Sequence, residues 1–172
     1  LTRSAAIANM AGGIVVSKVG TATCTRDELS AALTQHSRTA ARHQKMVTLP
    51  EALDQITKWR RQGLRVGFTN GCFDILHPGH VSLLRQARAQ CDKLILGLNS
   101  DASISRLKGP TRPVNRVEDR ADVLAGLESV DLLIVFDEDT PLNLISAIKP
   151  DVLTKGADYT VETVVGADIV LS

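Results

Sequence analysis

A doubly wound α/β fold, with helices on both faces of a parallel sheet, is what this sequence predicts, and three observations carry the prediction. From Val47 onward, short apolar runs alternate with segments of helical periodicity. One run, Lys93 to Leu98, is almost continuously apolar, the mark of a strand buried on both faces. Strands that alternate with helices also require crossover connections, which give a parallel sheet of right-handed units.

The first forty residues stand apart from this pattern. Ser4 to Ala11 read as the end of a helix that is apolar almost all round, interrupted by Gly12-Gly13. Ile14-Val15-Val16 fit either a strand or a last helical turn. Thr25 and Glu28 have capping-box spacing, which starts a helix at Arg26 and runs it to about Gln35. His36 to Met46 is polar and reads as a linker. Beyond it, Thr48 and Glu51 form a second capping box, with Pro50 in the first turn and Gly63 as the stop. A strand over Arg65–Phe68 follows, then a helix over His80–Cys91 with Val81, Leu84 and Ala87 on one face. After the Lys93–Leu98 strand come helices over Asp101–Leu107 and Val117–Leu127. A strand over Asp131–Phe136, a helix over Thr140–Ile148 and a strand over Asp151–Thr154 complete the series.

Composition narrows the function classes. Hydrophobic residues make up 44% of 172 residues and charged ones 23%, a globular balance with enough apolar material for a real core. Aromatics are only 3%, so that core must be built from Val, Leu, Ile and Ala. The net charge of +1 supplies no global field for nucleic acid or an anionic membrane, so any anion site must be local. Cys24, Cys72 and Cys91 lack CxxC spacing, which argues against a disulfide framework or a zinc knuckle. No apolar run approaches a membrane span, and no basic-then-apolar leader opens the chain, so a cytoplasmic location is expected. The first residue is Leu1, not Met, and the chain is expected to be a piece of a longer polypeptide. A homo-oligomer is the expected assembly.

The informative stretch is Gly67-Phe68-Thr69-Asn70-Gly71-Cys72-Phe73-Asp74-Ile75-Leu76-His77-Pro78-Gly79-His80, where the first strand of the sheet gives way to a helix. Ligands of open parallel sheets bind beyond the carboxyl ends of the strands. Gly71 and Gly79 let backbone approach a ligand closely, and a helix start near His80 offers free N–H groups and a positive dipole end. His77 and His80, three residues apart, can face one anion and donate to its oxygens as charge grows there. A single histidine at such a position is as readily a cap or a surface residue, and a zinc pair would need Cys or His partners that are not nearby. Downstream, Asn99-Ser100-Asp101 and Lys108-Gly109-Pro110-Thr111-Arg112-Pro113 fall at the next carboxyl edge. Lys108 offers a mobile point charge and Arg112 a planar fork for two oxygens, unless the loop is simply solvated. Glu118 and Asp119 suit a helix first turn, Asp137-Glu138-Asp139 the approach to the next helix. Arg120 is equally compatible with i,i+4 pairing along its helix. Cys72 reads as a small packing residue.

The HxGH segment resembles that of the cytidylyltransferase-like nucleotidyltransferases. Within that superfamily the chain is most similar to the adenylyltransferase domains of bifunctional enzymes that also carry a ribokinase-like heptose 7-phosphate kinase. Ala8 to Thr23 looks like the end of such a kinase, and Gly67 to Tyr159 looks like the transferase. The implied division is a kinase remnant with the start of a linker over residues 1–42 and a nucleotidyltransferase domain, Rossmann-like in fold, over 43–172. The family continues into a strand and a Ser-Thr-Thr loop where this chain stops at Ser172, so a C-terminally truncated domain is expected. The resemblance implies that ATP and heptose 1-phosphate give ADP-heptose and pyrophosphate, with Mg²⁺ on the ATP phosphates. His77 and His80 would contact those phosphates and Lys108 would reach the triphosphate. Thr69, Asn70, Gly71, Cys72, Phe73 and Asp74 would wrap the nucleotide with Gly79, and Asn99, Asp101 and Arg112 would line the same site. Gly156 and Asp158 would meet ribose or base. A cytidylyltransferase acting on an alcohol phosphate such as glycerol 3-phosphate, and a nucleotide-binding module without turnover, stay open on sequence alone.

Overall fold

The structure is a computed structural model that describes residues 2–156 and 165–171, with side chains over 4–36, 44–156, 165–166 and 168–170. The chain divides into two compact units, residues 1–43 and 44–172. Among the described residues no helix is long and apolar enough to cross a membrane.

The first unit is helical. Helix α1 spans Thr2–Val16 and α2 spans Arg26–Lys45. The expected interruption at Gly12-Gly13 is absent: the helix passes through both, and Ser17 N–H donates to the Gly13 carbonyl at 3.2 Å. Glycine inside a helix costs about 1 kcal/mol relative to alanine, which weakens a helix without breaking it. The Thr25–Glu28 capping box forms, with Glu28 N–H donating to Thr25 Oγ1 at 3.3 Å and Thr25 N–H to Glu28 Oε2 at 2.8 Å. Glu28 also accepts from Lys18 at 2.7 Å, and the ammonium together with the Thr25 donors holds its carboxyl down at about 2. The linker expected over His36–Met46 is helical as far as Lys45. Its polarity is that of Gln, Arg and Lys, which are strong helix formers, and no Gly or Pro intervenes.

The second unit is built on four parallel strands in the order β3-β2-β1-β4. Helix α3, Leu49–Arg61, opens on the Thr48–Glu51 capping box, and Gly63 (φ 74°) follows its end. The elements then run β1 (Val66–Gly71), α4 (Pro78–Ala89), β2 (Lys93–Asn99), α5 (Asp101–Lys108), α6 (Val117–Ala125), β3 (Leu132–Phe136), α7 (Leu142–Ile148), β4 (Val152–Leu153) and α8 (Ala167–Leu171). The chain winds outward from β1 through β2 to β3, then crosses to the far side of β1 for β4. The gap between the carboxyl ends of β1 and β4 is therefore the switch point at which such sheets bind ligands. Two cores flank the sheet. Phe68, Ile95 and Ile134 pack with Ile56 of α3 and Ile145 of α7 on one face. Leu94, Leu96 and Leu133 pack with Leu84 of α4 and Leu124 of α6 on the other. Each fully buried side chain of this kind contributes about 1.5–3 kcal/mol.

Two boundaries differ from expectation in a way that matters. Strand β1 continues to Gly71, three residues beyond Phe68, because Thr69, Asn70 and Gly71 pair with Leu96, Gly97 and Leu98 of β2. Those three residues belong to the sheet and not to a turn. Helix α7 starts at Leu142, with Pro141 as its N-cap, two residues later than expected.

Strand β1 passes tightly over the turn between α4 and β2 at Gly67, where a Cβ would stand 2.5 Å from Cys91 Sγ. Gly67→Ala should destabilise the domain by about 1–3 kcal/mol, the usual cost of overpacking. Denaturant titration of Gly67→Ala beside the Gly67→Ala/Cys91→Ala double variant checks the cause, since removal of the sulfur should restore most of the loss.

Candidate functional site

The site grows from the junction of β1 and α4. Past Gly71 the backbone turns through Phe73, at φ 45°, and enters α4 with Pro78 at its first turn. His77 is the N-cap in extended conformation, and its side chain makes no capping bond. Its ring is free to stack on His80 one turn later, with centroids 3.9 Å apart and planes 30° apart. Gly79 makes the stack possible: a Cβ there would lie 2.9 Å from His77 Cε1. On its other side His80 meets the Phe73 ring, tilted by 59° at 5.0 Å.

The surroundings of His80 favour its neutral form. Burial, His77 and the Lys108 ammonium, in that order, push His80 below its ordinary value of 6.5. At neutral pH His80 is an uncharged N–H donor. Lys108, exposed at the end of α5, is thus near enough to act on His80 electrostatically.

Two arginines hold the surrounding loops. Arg120 of α6 is 3% exposed, and its guanidinium reaches four backbone or side-chain oxygens from four segments. It donates to the carbonyls of Cys72 (2.7 Å), Asn99 (2.9 Å) and Asn115 (3.0 Å), and to Asp101 Oδ1 (2.7 Å). Arg112 lies 2.5 Å from Asp74 Oδ2, while Asp74 Oδ1 accepts from the amides of Val114 (2.7 Å) and Asn115 (3.2 Å). Burial alone would raise the Asp74 carboxyl; the Asn115 and Val114 amides and the Arg112 charge outweigh it and hold it below its ordinary value. Asp74 and Asp101 are therefore engaged by protein donors, and the Arg112 fork has one arm on Asp74.

The remaining expected residues fall into two groups. Asn99, 3% exposed at the end of β2, donates to Ser103 Oγ at 3.0 Å, and the Cys72 thiol lies 4.0 Å from its Oδ1. On β1, Thr69 is fully buried, Asn70 accepts from the Lys155 ammonium, and Gly71 lies under the Phe73 ring. Burial lowers Lys155, with Cys72 opposing the shift. Gly156 follows, half-buried beyond β4, and Asp158 lies outside the described residues. Thus β1, β2 and β4 bring Thr69, Asn70, Cys72, Asn99 and Lys155 to one edge, and the α4 turn adds His77, Gly79, His80 and Phe73. Asp137 and Asp139 are engaged by Arg106 and Asp137 also by Ser100. Among the described residues no three His, Cys, Asp or Glu side chains are grouped to hold a metal ion.

Sequence reasoning undervalued Arg120 and Lys155. Arg120 sits on the apolar face of α6 with Ala121, Leu124 and Ala125, and a lone arginine in a buried stripe was the available signal. Lys155 lies two residues past the end of β4, at the carboxyl edge, but its contact with Asn70 spans 85 residues and no local pattern announces it.

The profile of the cytidylyltransferase-like family matches residues 68–171. The chain is 59% identical over 171 residues to the bifunctional protein HldE of Caulobacter vibrioides and 61% identical over 166 residues to that of Rhodospirillum rubrum. The alignments cover 99% and 96% of this chain but 35% and 33% of those relatives, so the chain spans about a third of their length. Among solved structures, the lipopolysaccharide core biosynthesis protein from Thermoplasma volcanium is similar with a TM-score of 0.51 and 30% identity, over 57% of this chain and 79% of that one.

Two outcomes follow from the site's physics. Arg120→Met should destabilise the domain by about 3 kcal/mol, because it leaves Asp101 and buried carbonyls without a donor; equilibrium unfolding reads the loss. His80 has a folded-state value below its unfolded one, so its contribution is complete above pH 6.5 and is lost as pH falls from there toward the folded value. Melting temperature should drop between neutral and mildly acidic pH, and the drop should be smaller in His80→Gln.

Proposed function

The chain belongs to the cytidylyltransferase-like family, and from that premise we propose that it is the nucleotidyltransferase part of an enzyme that moves AMP from ATP to D-glycero-β-D-manno-heptose 1-phosphate. The products are ADP-heptose and pyrophosphate, for assembly of the lipopolysaccharide core. The observation that carries the reading is the His77–His80 stack at the mouth of α4, in a chain about 60% identical to proteins named bifunctional HldE. A solved structure named as a lipopolysaccharide core biosynthesis protein supports the same direction. In this reading residues 1–42 are the end of a ribokinase-like kinase domain and 43–172 the transferase, in a homo-oligomeric cytoplasmic enzyme.

The proposed step is an in-line displacement. An oxygen of the sugar phosphate attacks the α-phosphorus of ATP, and the bond to the bridging oxygen of pyrophosphate breaks. The leaving group departs with the electron pair, so no covalent enzyme intermediate is required. Positioning and charge stabilisation supply the acceleration. His77 and His80 donate N–H bonds to the oxygens on which charge accumulates, and Lys108 adds a positive charge beside them. The α4 N-terminus presents its dipole to the same place. A neutral His80 suits this task, since it donates without repelling Lys108. Asn70, Gly71 and Cys72 at the end of β1, Asn99 at the end of β2 and Gly156 beyond β4 are assigned to the nucleoside side, with Asp158. Thr69, Phe73, Asp74, Asp101 and Arg112 shape the walls. Mg²⁺ is read as arriving on the triphosphate, as part of the substrate, because Asp74 and Asp101 already serve arginines.

Pyrophosphate release by the complete polypeptide encoded by its gene tests the reading. Release is expected with ATP, Mg²⁺ and heptose 1-phosphate. Release only with CTP and glycerol 3-phosphate would move the assignment to a cytidylyltransferase, and nucleotide binding without release under any pairing would make the domain a binding module. His80→Ala should lower turnover about a hundredfold or more, the effect of removing one good transition-state donor; a near-normal rate would take His80 out of the mechanism.

A further inference from the structure

Five buried polar atoms among the described residues have no hydrogen-bond partner; Asp74 Oδ2 and Arg112 Nε belong to one ion pair, and the other three are Thr69 Oγ1, Thr154 Oγ1 and His80 Nδ1. Such groups are rare in folded proteins and commonly mark an ordered water or a working residue. The architecture places all three toward one layer. The parallel register is Gly67↔Val152 and Phe68↔Leu153, and the Thr154 amide donates to the Phe68 carbonyl at 3.0 Å as part of the latter pair. Carried one residue on, that register sets Thr154 beside Thr69, and aligned neighbours in parallel strands project from the same face. On β1 that face also carries Gly67 and Gly71, two residues to either side. Gly67 lies against Cys91, just past the end of α4, and Gly71 lies under the Phe73 ring, which packs on His80 in the first turn of α4. Thr69, fully buried, thus faces the underside of α4 between those two points. His80 Nδ1 is the buried nitrogen of its ring, which leaves Nε2 to meet a ligand.

We propose that Thr69 and Thr154 are positioning residues for His80: through one buried water their hydroxyls occupy Nδ1 as an acceptor and fix the imidazole as the tautomer that carries its proton on Nε2. The water donates one hydrogen to Nδ1 and the other to one threonine oxygen, and it accepts the hydroxyl hydrogen of the second threonine. Three polar partners are the usual complement of an internal water. Which nitrogen of a histidine carries the proton is set by the bond its other nitrogen makes. A lone pair at Nε2 would repel a phosphate oxygen, whereas an N–H there attracts it. The inference rests on the reading of His80 as a phosphate donor and names what holds it in the donating form.

The test is nitrogen magnetic resonance of the complete polypeptide with isotope-labelled histidine, without substrate, at about pH 7.5, where an unperturbed histidine is mostly neutral. The His80 ring is identified as the signal pair that vanishes in His80→Gln. Wild type and Thr69→Ser should show the fixed Nε2–H pattern, and the Thr69→Val/Thr154→Val double variant should show the averaged pattern of exchanging tautomers. Turnover of the double variant should fall about tenfold with the KM for nucleotide unchanged, in line with the loss of outer partners of working histidines. Averaged nitrogens in the wild type, or nitrogens that ignore the double substitution, overturn the proposal. Displaced nitrogens with undiminished turnover uphold the threonine–histidine link and remove the phosphate-donor reading, so the two failures are distinct. If the double variant does not fold, Thr154→Val alone is read by the same shifts.

Discussion

The site depends on one buried guanidinium. Arg120 joins the carbonyl that follows β1, the carbonyl that ends β2, the first carboxylate of α5 and the loop ahead of α6. Carbonyls at the carboxyl edge of a parallel sheet have no further strand to pair with, and they cannot be left dry. A single planar group with several fixed donors satisfies them together, and it sets the spacing of the segments around the candidate site. Asp74 and Arg112 do the same work on the outer loop, where a carboxylate collects two amides and a cation.

On that frame the α4 turn can be both tight and polar. Two stacked imidazoles and a nearby ammonium would repel each other strongly if all were charged. Burial settles the conflict in favour of the neutral form at His80, which keeps its donor capacity and avoids the repulsion. The absence of a Cβ at Gly79 and the extended N-cap at His77 are the local conditions for the stack. The same economy appears across the switch point, where Lys155 meets Asn70 in the gap that β4 leaves beside the end of β1.

Much of this was legible in the residue order. The helix starts at Thr25 and Thr48 were readable because a capping box is a local device of four residues. The HxGH turn was readable because proline, glycine and two histidines at fixed spacing leave few conformations. Boundaries were harder. The strand edge at Phe68 moved to Gly71 because β2 supplies partners for Thr69, Asn70 and Gly71, and partnership is not written in the strand itself. Helix α2 runs on to Lys45 because its polar Gln, Arg and Lys residues, which resemble a linker in composition, are strong helix formers.

The sequence by itself determined the class of fold and the chemistry on offer. Apolar periods of two kinds in alternation require a parallel sheet, and the short spacing of His77, Gly79 and His80 fixes their mutual geometry. Tertiary structure alone decided which polar groups are engaged and which are left to act. Asp74 meets Arg112, and Arg120 meets carbonyls up to 48 residues away, through contacts that exist only once the strands are side by side. The reason is that burial and partnership belong to the packed assembly: a carboxylate or an imidazole has the same letters in the chain whether it faces water, an arginine or a substrate.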